Sequence, residues 1–200
     1  MKCSFIGYFK PAVILLSALL LFSCSSEPVK EIPDKASEKK NIIVIDAAVK
    51  EQFNTALAAL KSENYDEAIR ILENVIALEK RVPAPYINLA MAYEKKNRLK
   101  KTERYLLDAV KIDLSHPVAN NQLGLLYRKQ GKFADARKAY TNALINHPDY
   151  LPVIKNLGIL CELYLRDLAC ASQQYEHYQS LQPDDKTMKI WISDLNQRMR

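Results

Sequence analysis

"NQLGLLY", residues 121–127, has a near copy 34 residues earlier, "INLAMAY" at 87–93, and another 34 residues later, "KNLGILC" at 155–161. Aligned on this heptamer, the chain falls into columns. Ala56, Ala90, Gly124 and Gly158 share one. Ala68, Thr102 and Ala136 share a second, Leu72, Leu106 and Tyr140 a third, and Val75, Ala109 and Ala143 a fourth. Leu123, Leu126, Tyr127 and Gln130 follow helical spacing, as do Ala136, Tyr140, Ala143 and Leu144. Gly131 separates the two stretches, where a helix end needs a left-handed residue. Asn97 holds the same place one unit earlier, and asparagine tolerates that conformation. Pro83, Pro117 and Pro148 mark the borders between units, because proline stops the helix before it.

A period of 34 with small residues at these offsets resembles the tetratricopeptide repeat. The resemblance runs from about Val49 to Pro183 and implies an all-α solenoid of about four helix-turn-helix units. One helix pair cannot bury its apolar face alone, so stacking builds the core. The repeats fall near 49–82, 83–116, 117–150 and 151–185, within a domain spanning 47–200. In the fourth unit, Gly158 to Ala171 is 13 residues rather than 12, which places one added residue in the turn at Tyr164–Asp167. A capping helix at 186–199 shows Met188, Trp191, Ile192, Leu195 and Met199 on one face, with Trp191 read as core. Asp46 is a good N-cap for the first helix. Before it, Ile42 to Ile45 reads either as a staple over the first repeat or as an extended strip that pairs with a partner.

The first 23 residues read as a signal peptide. Lys2 and Lys10 are basic, and the apolar run Ala12 to Phe22 covers only about half of a ~30 Å bilayer core. Leu21-Phe22-Ser23-Cys24 resembles the lipobox of bacterial lipoproteins. That resemblance implies cleavage before Cys24 and its modification by a diacylglyceryl thioether and an N-acyl chain such as palmitate. Several chains hold firmly where one anchors marginally. Ser25 then implies the outer membrane, on its periplasmic face. Residues 24–46 form the lipidated cysteine and a polar tether whose usual span is about 20–25 Å.

The formal charge of +6 reads as mild and spread out, with no basic block interleaved with aromatics, so nucleic acid is not expected as a partner. No catalytic constellation, metal site, cofactor or small-molecule substrate is expected. The glycines form no phosphate loop, and His116, His147 and His177 lack ligand spacing and lie apart. Cys161 and Cys170 read either as a disulfide or as two buried thiols.

In the tetratricopeptide-repeat family the first helices line a concave groove. The resemblance therefore places the column Asn54, Asn88, Gln122 and Asn156 on that surface, where carboxamides can bond the backbone of an extended peptide. Phe53, Leu57, Ile87, Met91, Asn121, Leu125, Arg128, Lys129, Lys155 and Ile159 are expected beside it. The mixture suits an apolar segment that carries an acid. Phe53 and Leu57 stand where a chaperone-type carboxylate clamp needs Lys and Asn. The combination is similar to lipoproteins that assist pilus secretin assembly and to those of gliding-motility clusters. It implies an envelope protein client; the alternative is an adaptor that recruits a cell-wall hydrolase or protease.

Overall fold

The computed structural model describes residues 43–200. The expected signal peptide, Cys24 and most of the tether lie outside these residues. Helices α1 (Ala47–Lys61), α2 (Tyr65–Leu78), α3 (Pro83–Lys95), α4 (Leu99–Ile112), α5 (Pro117–Lys129), α6 (Phe133–Asn146), α7 (Leu151–Ile159), α8 (Leu168–Leu181) and α9 (Lys186–Arg198) follow in order, with no strand among the described residues. They pair as α1/α2, α3/α4, α5/α6 and α7/α8, and each pair stacks on the next. The first helices α1, α3, α5 and α7 also touch one another in series, which makes one continuous inner layer.

The helix starts follow local chemistry. Asp46, as expected, accepts from the Ala48 amide at 2.8 Å. Asp167 and Asp185 accept from Cys170 and Met188, both at 3.0 Å, and the His116 Nδ1 accepts from Ala119 at 3.3 Å. Pro83 and Pro117 open α3 and α5, where a missing N–H costs nothing. Ile43 and Ile45 turn toward the recess beside Val49 and Phe53, while Val44 between them stays 82% exposed. Ile43 and Ile45 are themselves 40% and 38% exposed, so the described part of the strip is compatible with the staple and with the partner-pairing reading alike.

Column complementarity explains the core. A Cβ on Gly124 would stand 2.2 Å from Cε1 of Tyr140, and one on Gly158 would stand 2.4 Å from Cε1 of Tyr175. Both rings are fully buried. In the first two units the same columns hold Ala56 with Leu72 and Ala90 with Leu106, all buried. The pair therefore keeps its summed volume: a larger side chain on the second helix goes with a smaller one on the first.

Four turns join the helices within pairs. The residue at positive φ is Glu63 (59°), Asn97 (55°), Gly131 (74°) and Arg166 (54°) in successive units. The next amide then bonds back: Asn64 to the Ala59 carbonyl, Arg98 to Tyr93, Lys132 to Tyr127 and Asp167 to Cys161, at 2.8–2.9 Å. The first three bonds reach five residues back and the fourth reaches six. The added residue of unit four is therefore not in the turn, as expected, but in the helix before it. There α7 runs on as a π-helical stretch, Leu160–Leu165, whose wider turn absorbs one residue and lets the turn keep its usual form.

That stretch ties the end of the solenoid together. Cys161 and Cys170 are joined as a disulfide, with Cα atoms 5.8 Å apart. Glu162 accepts from the Tyr175 hydroxyl at 2.8 Å and pairs with Arg198 of α9. On α9, Met188 and Leu195 are buried, and Trp191 and Ile192 pack on the same cluster. Met199 departs from the expected apolar face: it is 48% exposed at the helix end.

Candidate peptide-binding groove

The inner layer presents parallel rows at the 34-residue step. One is apolar: Leu57 and Met91, each more than a third exposed, then Leu125 and Ile159, both half-buried. Beside it runs the carboxamide row, and toward the turns runs a third row, Lys61, Lys95 and Lys129. Leu57, Lys61, Asn88, Met91 and Lys95 meet around a recess of about 400 Å³ between α1 and α3. Phe53 and Asn54 line a second, of about 460 Å³, toward the start of α3. Ile159 lines a third of similar size with Glu162, Leu163 and Trp191, between α7 and α9.

The carboxamides are not equivalent. Asn88 donates to its own helix at the Ala84 carbonyl, 2.8 Å away. Asn156 donates to Asn121 Oδ1 at 2.9 Å. Each thus uses one amide hydrogen within the fold. Asn54 and Gln122 make no side-chain hydrogen bond among the described residues. The row is therefore a mixture of restrained and free amides, not a uniform ladder.

Two expected lining residues belong elsewhere. Ile87 is 4% exposed and packs with Ala109 and Ala119. Asn121 is 7% exposed and serves as the acceptor for Asn156. Both sit one position off the open face, and a helix turns about 100° per residue, so that step moves a side chain from solvent to seam. Arg128 is half-buried with its guanidinium 5.7 Å from the Tyr164 ring. Lys155 holds its ammonium 5.2 Å from the Trp191 ring. Lys129 is exposed and pairs with Glu94 at 2.5 Å. Trp191, read as core, is also part of the groove wall. Lys61 and Lys95 were not singled out, although the same 34-residue step that found the amides contains them.

Burial sets the titration of the tyrosines. The Tyr140 hydroxyl is buried without a hydrogen-bond partner, and its pKa is pushed up to about 12. Tyr93 reaches the same value through burial and its hydrogen bond to Glu73. Both stay neutral at physiological pH. His116 and His147 are closer than expected, because loops of successive units lie side by side. Asn146 next to His147 donates to Ser115 next to His116 at 2.7 Å. Burial first, and His147 in addition, lower the His116 pKa, against an opposing pull from Asp113.

Cys161, Asp167 and Cys170 bring three donor atoms within 4.8 Å of one another. The two sulfurs are bonded to each other, and Asp167 is committed to the Cys170 amide and to Arg137 at 3.2 Å. That set offers no free thiolate to an ion.

Comparison with known proteins places this geometry. The chain matches the tetratricopeptide repeat family over residues 59–120 and again over 117–150. It is 28% identical over 137 residues to the auxiliary subunit NAA15 of the N-terminal acetyltransferase A complex of Arabidopsis thaliana, covering 67% of this chain and 15% of that protein. The chain thus spans about one seventh of the curated relatives it matches. Among solved structures, PilF of Pseudomonas aeruginosa superposes with a TM-score of 0.67 at 19% identity, over 76% of this chain and 69% of that one. MamA of Desulfovibrio magneticus RS-1 superposes with a TM-score of 0.65 at 17% identity, over 78% and 88%. At such identities the structural likeness speaks for the fold. The chain carries tetratricopeptide repeats and folds as a tetratricopeptide-repeat solenoid.

Proposed function

We propose that this protein is a lipid-anchored scaffold of a bacterial envelope, and that its groove holds a segment of another envelope protein during assembly of a larger machine. The observation that carries the binding half is the open apolar row Leu57, Met91, Leu125 and Ile159, flanked by amides on one side and lysines on the other. Such a row takes alternate side chains of a bound segment, while the free amides of Asn54 and Gln122 take its backbone. Arg128 and Lys155 supply positive charge beside the row for an acid on the same segment. The observation that carries the anchoring half is Leu21-Phe22-Ser23-Cys24, with Ser25 after it favouring the outer membrane. Anchoring confines protein and client to one layer and raises their effective concentration, to the mM range for a short flexible link.

Pilus secretin assembly and gliding motility are the processes this architecture suits. An adaptor for a cell-wall hydrolase or protease would use the same groove. Two experiments test the reading. Labelled palmitate should enter the wild-type protein and not Cys24→Ala. Deletion of the gene should reduce secretin multimers or motility, and Met91→Glu/Leu125→Glu in the chromosome should reproduce the deletion while leaving protein levels intact. Multimers and motility that are normal in the deletion strain reject the assembly role.

A further inference from the structure

Composition reads the basicity of this chain as spread out, but the fold gathers it. Residues 94–104 and 128–138 are the same stretch one repeat apart, and together they hold eleven Lys and Arg against three acids. Their surplus exceeds the +6 of the whole chain. The equivalent stretch of the first unit, 60–70, holds two cations and three acids. All of these residues sit at or next to the turns between paired helices, so the stacking of α3/α4 on α5/α6 concentrates the surplus on one edge of the solenoid.

The fold itself neutralises only part of that edge. Lys96 pairs with Asp66, Lys129 with Glu94, and Lys132 lies 3.8 Å from Glu103. Arg104 reaches Asp108 at 4.0 Å and Arg137 reaches Asp167. Lys95, Arg98, Lys100 and Lys138 have no ion-pair partner among the described residues. Lys101 reaches only the Tyr93 hydroxyl, at 3.1 Å, with its ammonium over that ring at 4.4 Å. Lys96, Arg98, Lys100 and Lys101 line a recess of about 770 Å³ together with Tyr93, Ile69 and one acid, Asp66, whose charge Lys96 meets. Leu99 stands among the cations, 37% exposed.

We infer that this edge, which meets the groove along Lys95 and Lys129, carries a second docking surface around the recess of Lys96, Arg98, Lys100 and Lys101, for an acidic polypeptide segment that carries an apolar residue. Charge complementarity selects the sign of the partner and speeds encounter. The recess selects its form: a hollow lined by Ile69, Tyr93 and Leu99 among a surplus of cations admits a segment with an apolar side chain, whereas a flat sheet of headgroups does not enter it. The charge surplus and the recess do not depend on the anchoring reading.

The test uses the full-length protein, a fluorescent peptide of glutamates with interspersed leucines, and vesicles of phosphatidylglycerol with phosphatidylcholine. The expected result is saturable peptide binding that weakens with salt. Arg98→Glu/Lys100→Glu should weaken it at least about tenfold, whereas Lys186→Glu/Lys189→Glu, an equal charge change on α9, should leave it within about twofold. Met91→Glu/Leu125→Glu, which disables the groove, should leave at least half of the affinity, so failure of the groove and failure of the edge are read separately. Equal losses in the two charge-reversed pairs would show a response to net charge alone and overturn the assignment. Vesicle binding without peptide binding would assign the edge to lipid and overturn it as well.

Discussion

Gly124→Ala adds one methyl group to α5 and should unfold the protein more easily, although alanine is the better helix former. The gain in helix propensity is about 0.5–1 kcal/mol. Against it, the new Cβ would stand 2.2 Å from Tyr140 Cε1, and that ring is fully buried, so a fully packed side chain must shift. Overpacking of this kind costs about 1–3 kcal/mol or more, so the net effect is a loss of about 1–2 kcal/mol. Tyr140→Leu alone opens a cavity and should cost about 1–3 kcal/mol, reduced by removal of a hydroxyl that has no partner. The double variant rebuilds the Ala90/Leu106 pair of the preceding unit. It should therefore be less destabilised than the sum of the single variants by about 1–3 kcal/mol. Urea unfolding followed by far-ultraviolet circular dichroism gives the cycle. A double variant whose loss equals the sum would refute the volume-exchange argument, because it would mean that the two positions do not share one space.

Three further outcomes follow from the end of the solenoid and from its loops. Glu162→Gln removes the charge that holds both Tyr175 and Arg198, at a cost of about 1–3 kcal/mol, so amides of α9 should exchange roughly 5- to 150-fold faster while those of α3 stay unchanged. Reduction of Cys161–Cys170, nine residues apart, should lower stability by about 2–3 kcal/mol, and mass spectrometry of the unreduced protein should find no free thiol in the pair. The His116 pKa is lowered in the folded state, so the unfolded chain takes up its proton first. Stability from this residue is complete above its ordinary value of 6.5 and is lost as pH falls from there toward the folded value. Thermal unfolding at stepped pH should show that loss, and His116→Asn, which caps without titrating, should remove it.

The 34-residue step made the helices and most of the core legible, because small residues and prolines recur at fixed offsets where helices must pack closely and then stop. Gly131 and Asn97 announced left-handed turns by residue type; Glu63 and Arg166 fill the same role silently, since neither residue favours that conformation. The thirteenth residue of unit four was visible, but counting cannot say whether a helix or a turn absorbs it. The groove was legible by column and less so by depth. Ile87 and Asn121 lie one residue from exposed positions, and burial there depends on which neighbour packs against them. The basic edge was missed because composition averages along the chain, whereas two lysine-rich turns become one surface only when repeats stack.

A photo-crosslinking residue at Leu125 of the full-length protein in the cells that make it tests the central claim most directly, with Thr141, exposed on α6, as the comparison. The account predicts one discrete adduct from Leu125, mapping to a single segment of one envelope protein, and none from Thr141. The same adducts from both positions, or adducts from Thr141 alone, would contradict it.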